Sequence, residues 1–475
     1  MVHSLVDKMA AATDDFSSLV QGLETVVGSA ATETTPSNSV HERAPATATT
    51  AASATPKAKL LFVSQDTNQP TSYAKVTHYF LKELAALPWL EVVHYAVLPI
   101  YNATNIRRPA PAGVRQISAL ELEKSKSAAA ASAATGLGIR ELPLVISREA
   151  PTVVLIYNDI ALTCAYLEEI RRSGLKRTFQ LWAYVNQLYT FQPRNYVDLL
   201  NRDCDRIFVQ SKAWRESLKD QGLTRPCDVL GHGIDTAIIR QIPREIARQA
   251  AGIPREAFIF LSMNRNQARS RLDILLIAFV DLILKYPTRP IFLMCVCDKG
   301  TDGGYPVFDI FAREIALRGA TVDTYSNRLM LATQEGFYSD ADITMFYNLA
   351  DVGVSTADGT GFGLSTLEGM YVGIPQIVPD LVGYRDCCSS ANSIMLQPAI
   401  RYYLTLTQSP MSGEARAVSP AALTAAMEKY YLEEDLRTAH GAQARESAKK
   451  MTWSAAAAPL IRRLERTLQD EMEDA

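Results

Sequence analysis

Short apolar runs rich in β-branched and aromatic residues alternate with amphipathic helical patterns from Lys57 onward. Four such runs in the first half of the chain are each followed by a segment with apolar residues at helical spacing: LLFVS, TVVLIYN, FQLWAYV and DRIFVQ. This alternation of strand and helix favours a parallel sheet with right-handed crossover connections. The first half of the chain is therefore predicted to form an α/β domain.

A second alternating series begins at FIFLSM and continues through PIFLMCVC, VGVST and PQIVP. The preceding segment, QIPREIARQAAGIPR, has two prolines and little β pattern, which indicates a domain boundary. We predict two tandem Rossmann-like α/β domains that face each other across a cleft, over residues 58–240 and 241–435, with a C-terminal helical segment over 436–475. Ligands of such sheets bind beyond the carboxyl ends of the strands.

Three segments lie outside this alternation. Residues 28–57 are almost entirely Ala, Thr, Ser and Pro, and this composition predicts a disordered linker. Residues 1–27 carry apolar positions at helical spacing, which fits either a short amphipathic helix that docks on a partner or a fraying tail without function. Residues 121–138 contain a run of only Ala and Ser, which predicts a surface insertion.

Composition narrows the class of protein. The chain has 475 residues, of which 48% are hydrophobic and 21% charged, as in soluble globular proteins. A net charge of −3 removes the strongest reason to propose a nucleic-acid partner. The chain has no run of about 18 apolar residues, so no transmembrane helix is expected. The charged start argues against a signal peptide, and the seven cysteines lack disulfide or zinc spacing, so a cytoplasmic protein with reduced thiols is expected.

A glycine-rich turn between a strand and a helix carries the clearest chemical signal, in VGVSTADGTGFGLSTLEGM. Gly359, Gly361 and Gly363 let the backbone turn tightly, and the free N–H groups of the helix that opens at Leu364 can face an anion. Glu368 lies about one turn further, where its carboxylate can accept hydrogen bonds from sugar hydroxyls. A turn that only closes the sheet, with Glu368 in solvent, is the alternative.

This segment, from G-F-G-L-x-x-x-E through G-I-P-Q-I-V, resembles the signature of the retaining glycosyltransferases of the GT-B fold, family 4 type. The resemblance extends over most of residues 58–465. It implies an enzyme with two facing Rossmann-like domains that uses a nucleotide-diphosphate-sugar as donor substrate and needs no other cofactor. It also implies that the C-terminal helix crosses back onto the first domain, with Trp453 as its anchor.

In that family the loop reads E-G-F-G-L-x-x-x-E. Its first glutamate touches the transferred sugar, its amides help to hold the diphosphate and sugar, and its second glutamate holds the ribose. The resemblance assigns donor binding here to Glu368 and to the loop residues Gly361, Phe362, Gly363 and Leu364. Thr360 occupies the place of the first glutamate, and Asp358 is the candidate replacement.

A cluster of arginines stands between another strand end and helix start, in MNRNQARSRLD. Arg265, Arg269 and Arg271 could neutralise a diphosphate without a metal; a solvated basic helix start is the alternative, although cations there oppose the helix dipole. The segment resembles the family's G-R-x-x-x-x-K-G-x-D stretch, whose arginine and lysine bind the donor diphosphate. Aligned on Asp273, Arg265 matches the arginine and Ser270 stands where the lysine is expected, so Arg269 or Arg271 would substitute.

The turn GHGID resembles the family's G-V-D segment near the cleft. Gly231 and Gly233 indicate a close approach of backbone to ligand, and His232 either meets the donor or acceptor or is structural. Leu188 falls where related enzymes have an aspartate.

Two hypotheses follow. The first is a metal-independent retaining glycosyltransferase with Asp358, Thr360 and His232 as candidate catalytic residues and a glycan, protein or lipid as acceptor. The second is a degenerate, inactive protein of the same fold with a structural or interaction role, which the residues at 188, 270 and 360 motivate. An oxidoreductase is disfavoured because no G-x-G-x-x-G follows the first strand.

Overall fold

A computed structural model of the chain describes residues 58–98, 108–125, 132–297, 304–332, 338–406 and 411–473. The predicted N-terminal helix and linker, residues 1–57, lie outside the described residues, as does the centre of the predicted insertion, residues 126–131. No helix in the described ranges is both long and apolar enough to cross a membrane. All seven cysteines are described, and each is a free thiol.

The first sheet has seven parallel strands in the order β3-β2-β1-β4-β5-β6-β7. Its elements in chain order are β1 Ala58–Gln65, α1 Ser72–Ala85, β2 Leu90–Val97, β3 Val114–Ser118, α2 Ala119–Lys124, α3 Leu142–Glu149, β4 Val153–Asp159, α4 Ile160–Arg172, β5 Gln180–Asn186, α5 Arg194–Asp203, β6 Arg206–Val209, α6 Lys212–Asp220 and β7 Cys227–Val229.

Helices cover both faces of this sheet, which is why its central strands are apolar on both sides. In β5, Ala183 and Val185 pack into the core on one face, while Trp182 and Tyr184 pack into the core on the other. The helix α1 begins after Thr71, whose hydroxyl oxygen accepts a hydrogen bond from the main-chain N–H three residues later at 3.1 Å. This cap fixes where the first helix leaves the sheet at the cleft.

The second sheet has six parallel strands in the order β10-β9-β8-β11-β12-β13. Its elements in chain order are α7 Arg244–Ala250, β8 Phe258–Met263, α8 Leu272–Lys285, β9 Ile291–Val296, α9 Val307–Leu317, α10 Val322–Tyr325, β10 Leu329–Ala332, α11 Asp340–Leu349, β11 Val352–Val354, α12 Leu364–Val372, β12 Gln376–Pro379 and β13 Ser393–Leu396. The predicted α/β fold with two parallel sheets is confirmed.

An antiparallel hairpin, β14 Ile400–Leu404 and β15 Gly413–Ala417, follows the second sheet and was not predicted from the sequence. It reaches the first domain, because the Glu414 N–H donates to the carbonyl of Thr190 at 2.8 Å. The chain ends with α13 Pro420–Leu432, α14 Glu434–Ala448 and α15 Trp453–Glu473. The last helix lies against α1 of the first domain, where Trp453 stacks on Tyr79 with ring centroids 4.8 Å apart.

Candidate active site

The glycine-rich turn leads from β11 into α12. It lies at the carboxyl ends of the strands of the second sheet, where that sheet meets the first domain. Gly363 takes a left-handed conformation with φ of +74° at the start of α12, as a tight entry into the helix requires. Glu368 lies on α12 and is 5% exposed. Its carboxylate accepts a hydrogen bond from the Tyr347 hydroxyl at 3.0 Å. The solvated alternative for Glu368 is therefore wrong.

Glu368 also pairs with a cation from the opposite domain. The ammonium group of Lys75 on α1 donates to one oxygen of the Glu368 carboxylate. The same ammonium lies 3.8 Å from Asp340 Oδ1, to which Arg108 donates at 2.7 Å. Two cations of the first domain thus meet two carboxylates of the second. The sequence analysis missed Lys75, because no local pattern in α1 indicates a partner on another domain.

Two glycines of the turn serve the contact between the domains, and they do so without a left-handed backbone conformation. Neither Gly359 nor Gly361 has a positive φ. A Cβ on Gly359 would lie 2.2 Å from the ring of Tyr189, and one on Gly361 would lie 2.3 Å from Asn186 Oδ1. In addition, the indole N–H of Trp214 donates to the Gly361 carbonyl at 2.6 Å. Small residues here let the loop after β5 approach the turn.

Asp358 is held between two tyrosines. Its carboxylate accepts from the hydroxyl of Tyr189 at 3.2 Å and from the hydroxyl of Tyr402 on the hairpin. The residue is 4% exposed, and this burial raises the pKa of its carboxyl above the usual range. Thr360 is 9% exposed and packs next to Gly383 of its own domain. Of these two candidate catalytic residues, Asp358 contacts the first domain directly, through Tyr189.

The three candidate arginines have different surroundings. Arg265 is exposed, while the Arg271 guanidinium donates to both carboxylate oxygens of Asp273, at 3.0 and 2.8 Å. Arg269 lies towards the cleft, close enough to Tyr189 of the first domain for its charge to act on that residue. Burial and the Asp358 carboxylate raise the pKa of Tyr189, and the Arg269 guanidinium opposes this rise. Arg269 and Arg271 are the two candidates for the role of the expected lysine. Arg271 is paired with the Asp273 carboxylate, whereas Arg269 is close to the interdomain contact and is not paired in this way.

Ser270, at the position of that lysine, has a structural contact. Its buried hydroxyl donates to the carbonyl of Arg265 at 2.6 Å, and its own carbonyl accepts from Thr356 at 2.8 Å. These bonds tie the arginine-bearing segment to the end of β11. The serine at this position thus carries no charge and braces the segment.

His232 is 5% exposed, and neither of its ring nitrogens has a hydrogen-bond partner. Its ring centroid lies 4.5 Å from that of Phe362 in the glycine-rich turn. Burial lowers the pKa of His232 to about 3, so the imidazole is neutral at pH 7. Gly233 packs closely against the C-terminal segment, because a Cβ there would lie 2.2 Å from the backbone nitrogen of Trp453.

Two cavities lie near the site, the first within the second domain and the second along the interdomain contact. One, of about 250 Å³, is bounded by Asn264, Tyr347, Ser355 and Ser365 among others. The other, of about 280 Å³, is bounded in part by Leu188 and Asp358. Because the Glu368 carboxylate is buried against Lys75 of the first domain, a ligand can reach it only after the two domains separate. The described residues contain no cluster of side chains suited to a metal ion.

Two Rossmann-like domains whose strand ends face each other, with a final helix that returns to the first domain, define the GT-B fold. Solved structures similar to this chain share it. HepE from Anabaena, in complex with UDP and glucose, superposes with a TM-score of 0.61 at 14% identity, over 86% of this chain and 100% of that chain. Sucrose-phosphate synthase from Thermosynechococcus elongatus gives 0.60 at 14% identity, over 87% and 100%. A glycosyltransferase from Rickettsia africae gives 0.62 at 13% identity, over 87% and 99%.

No protein-family model matches the chain, and no curated protein matches it in sequence. At identities of 13 to 14%, the structural likeness establishes the fold. The activity must be inferred from the residues of the site itself.

Proposed function

We propose that the protein is a glycosyltransferase that moves a sugar from a nucleoside-diphosphate-sugar to a glycan, protein or lipid acceptor. The observation that carries the proposal is the placement of Glu368. A buried carboxylate follows the glycine-rich turn by one helical turn and faces the opposite domain of a GT-B fold. Two similar structures also support the proposal. HepE was solved in complex with UDP and glucose, and the second protein is named sucrose-phosphate synthase.

The donor would lie against the second domain, which we propose extends over residues 241–435, and the acceptor against residues 58–240. Glu368 would accept hydrogen bonds from the ribose hydroxyls. The main-chain N–H groups of residues 361–364 and the N-terminus of α12 would hold the diphosphate. Arg265 and Arg269 would neutralise it, and Arg271 would contribute only after leaving Asp273.

The chemistry would be metal-independent, because guanidinium groups and oriented N–H groups can stabilise the charge that develops on the leaving diphosphate. Retention would follow if a leaving phosphate oxygen assists attack by the acceptor on the same face of the sugar. Asp358, Thr360 and His232 would orient the sugar and the acceptor. Because the Glu368 carboxylate is buried against Lys75 of the opposite domain, catalysis would require domain opening to admit the donor and closure to exclude water.

The proposal is tested by calorimetric titration with UDP, GDP and ADP and their hexose conjugates. We expect one nucleotide series to bind, and Glu368→Gln to weaken it by about tenfold or more, since a hydrogen bond to a charged group contributes about 1.5–3 kcal/mol. The matched control is Glu434→Gln, because the Glu434 side chain is 82% exposed in α14. No binding of any nucleotide would refute the proposal and favour a structural or interaction role.

A further inference from the structure

Four charged side chains join the two domains beside the glycine-rich turn. Lys75 on α1 and Arg108, between β2 and β3, belong to the first domain. Asp340 on α11 and Glu368 on α12 belong to the second. All four side chains are largely buried, with exposed fractions between 6% and 18%. We refer to Lys75, Arg108, Asp340 and Glu368 as the ionic latch.

The Glu368 carboxylate already has a partner on each oxygen. Its Oε1 atom accepts from the Lys75 ammonium, and its Oε2 atom accepts from the Tyr347 hydroxyl at 3.0 Å. Because Glu368 is only 5% exposed, a ligand cannot reach the carboxylate while Lys75 stays in place. An ammonium group donates hydrogen bonds, as a hydroxyl does. Lys75 therefore stands where the proposed function places the hydroxyls of the donor ribose.

The second half of the ionic latch is built around Asp340. Arg108 donates to Asp340 Oδ1 at 2.7 Å, and the Lys75 ammonium lies 3.8 Å from the same oxygen. Asp340 thus adds negative charge beside Lys75 and holds a second cation of the first domain. Each of these ion pairs joins one domain to the other, so all of them break when the domains separate.

An ionic latch of this kind can close the cleft and still release it. Burial takes both partners of an ion pair out of water, and this cost offsets most of their attraction, so an intact pair contributes little net stability. Loss of one partner has a larger effect, because the other charge is then buried and unpaired. A closed cleft therefore requires all charges of the latch to be paired, and removal of one charge favours separated domains.

We propose that the ionic latch makes the ligand-free protein block its own donor site. Lys75 occupies Glu368 and, together with Arg108 and Asp340, holds the cleft shut until a nucleotide-sugar displaces the ammonium from the carboxylate. This inference rests on the proposed function and adds a regulatory contact to it. The affinity measured for a donor is that of the open molecules reduced by the fraction that is open. Weakening the latch should therefore tighten binding.

The test compares one latch variant in each domain by calorimetric titration with UDP, GDP and ADP and with UDP-glucose, GDP-mannose and ADP-glucose. Lys75→Met removes the cation that blocks Glu368, and Asp340→Asn removes a carboxylate of the latch without changing Glu368. We expect both variants to bind more tightly than the wild type by about tenfold, which corresponds to a wild type that is about nine-tenths closed. Lys82→Met is the matched control, because Lys82 is an exposed lysine of α1, and it should bind as the wild type does.

A double variant tests whether Lys75 acts through Glu368. In the Glu368→Gln background the buried ion pair no longer exists, so adding Lys75→Met should tighten binding much less than it does in the wild-type background. An equal gain in the two backgrounds would show that Lys75 does not act by blocking this carboxylate, and would overturn the inference.

Small-angle X-ray scattering measures the same equilibrium without a ligand. Lys75→Met and Asp340→Asn should each have a larger radius of gyration than the wild type and Lys82→Met. Their circular dichroism should match that of the wild type, because separation of the domains leaves the helices and strands of each domain intact. If Lys75→Met fails to fold, Asp340→Asn decides the question, since asparagine has the size and shape of aspartate.

Three further results would overturn the inference. Lys75→Met could bind the nucleotides more weakly than the wild type or equally well, as a lysine that contacts the donor directly would predict. Asp340→Asn could bind as the wild type does, or the radius of gyration could be the same in all variants. In each case nucleotide binding by the wild type leaves the proposed function standing. A wild type and latch variants that bind none of the six probes would refute the proposed function and this inference together.

Discussion

The ion pair between Lys75 and Glu368 is the contact across the cleft whose removal has the clearest predicted consequence. The Lys75 side chain is 9% exposed and that of Glu368 is 6% exposed. Lys75→Met removes the cation and leaves a buried carboxylate with only the Tyr347 hydroxyl as partner. Removing one member of a buried pair costs about 3–5 kcal/mol, because the remaining charge stays desolvated. We expect the free energy of unfolding to fall by that amount.

A double-mutant cycle separates this effect from loss of packing. Glu368→Gln alone should cost less than Lys75→Met, because Lys75 keeps Asp340 at 3.8 Å. The double variant Lys75→Met/Glu368→Gln should recover most of the loss, because no buried charge of the pair remains.

The assay is urea unfolding followed by tryptophan fluorescence. The indole N–H of Trp214 donates to the Gly361 carbonyl of the opposite domain, so the emission of Trp214 reports separation of the domains. Lys82→Met is the control, since Lys82 is an exposed lysine of the same helix. A loss below about 1 kcal/mol for Lys75→Met, as at an exposed ion pair, would refute the assignment of a buried charge pair to the closed cleft.

Three further predictions concern charge and protonation. Arg269→Gln should weaken diphosphate binding by about tenfold or more, whereas Arg271→Gln should leave it nearly unchanged; equal effects in titration would contradict the separation of the two arginines. Asp358→Asn should reduce donor turnover far more than nucleotide affinity, and full activity would exclude Asp358 from the chemistry. Stability should fall below pH 6.5, because burial lowers the pKa of His94 to about 4 and that of His232 to about 3, so the unfolded chain takes up protons that the folded chain cannot. At pH 5 each of these two histidines should cost about 2 kcal/mol, and His232→Phe should therefore remove about 2 kcal/mol of the pH dependence measured by urea unfolding; an unchanged dependence would contradict burial of His232.

The parts of the fold that local pattern encodes were predictable. The strand FQLWAYV is apolar from Leu181 to Val185 because both of its faces are covered, and this pattern identified β5 without knowledge of its neighbours. The position of the glycine-rich turn and of Glu368 followed from the strand and helix around them. These features depend on residues close together in the chain.

The features that were missed depend on residues far apart in the chain. Lys75 and Glu368 are 293 positions apart, and nothing in the spacing of α1 indicates a carboxylate on another domain. Gly359 and Gly361 looked like turn residues, but their small size is required by Tyr189 and Asn186 of the first domain. The hairpin β14–β15 consists of two five-residue strands whose alternating pattern is too short to distinguish them from a loop.

The proposed activity is tested most directly by proton NMR of the purified protein with UDP-glucose, and then with other nucleoside-diphosphate hexoses, in the absence of acceptor. We expect slow release of free hexose and nucleoside diphosphate, with the hexose first appearing in the anomeric configuration of the donor. Asp358→Asn, measured in parallel, should release less hexose at equal donor occupancy. Absence of release from every donor, at concentrations that saturate binding, would contradict the account of this protein as an active glycosyltransferase.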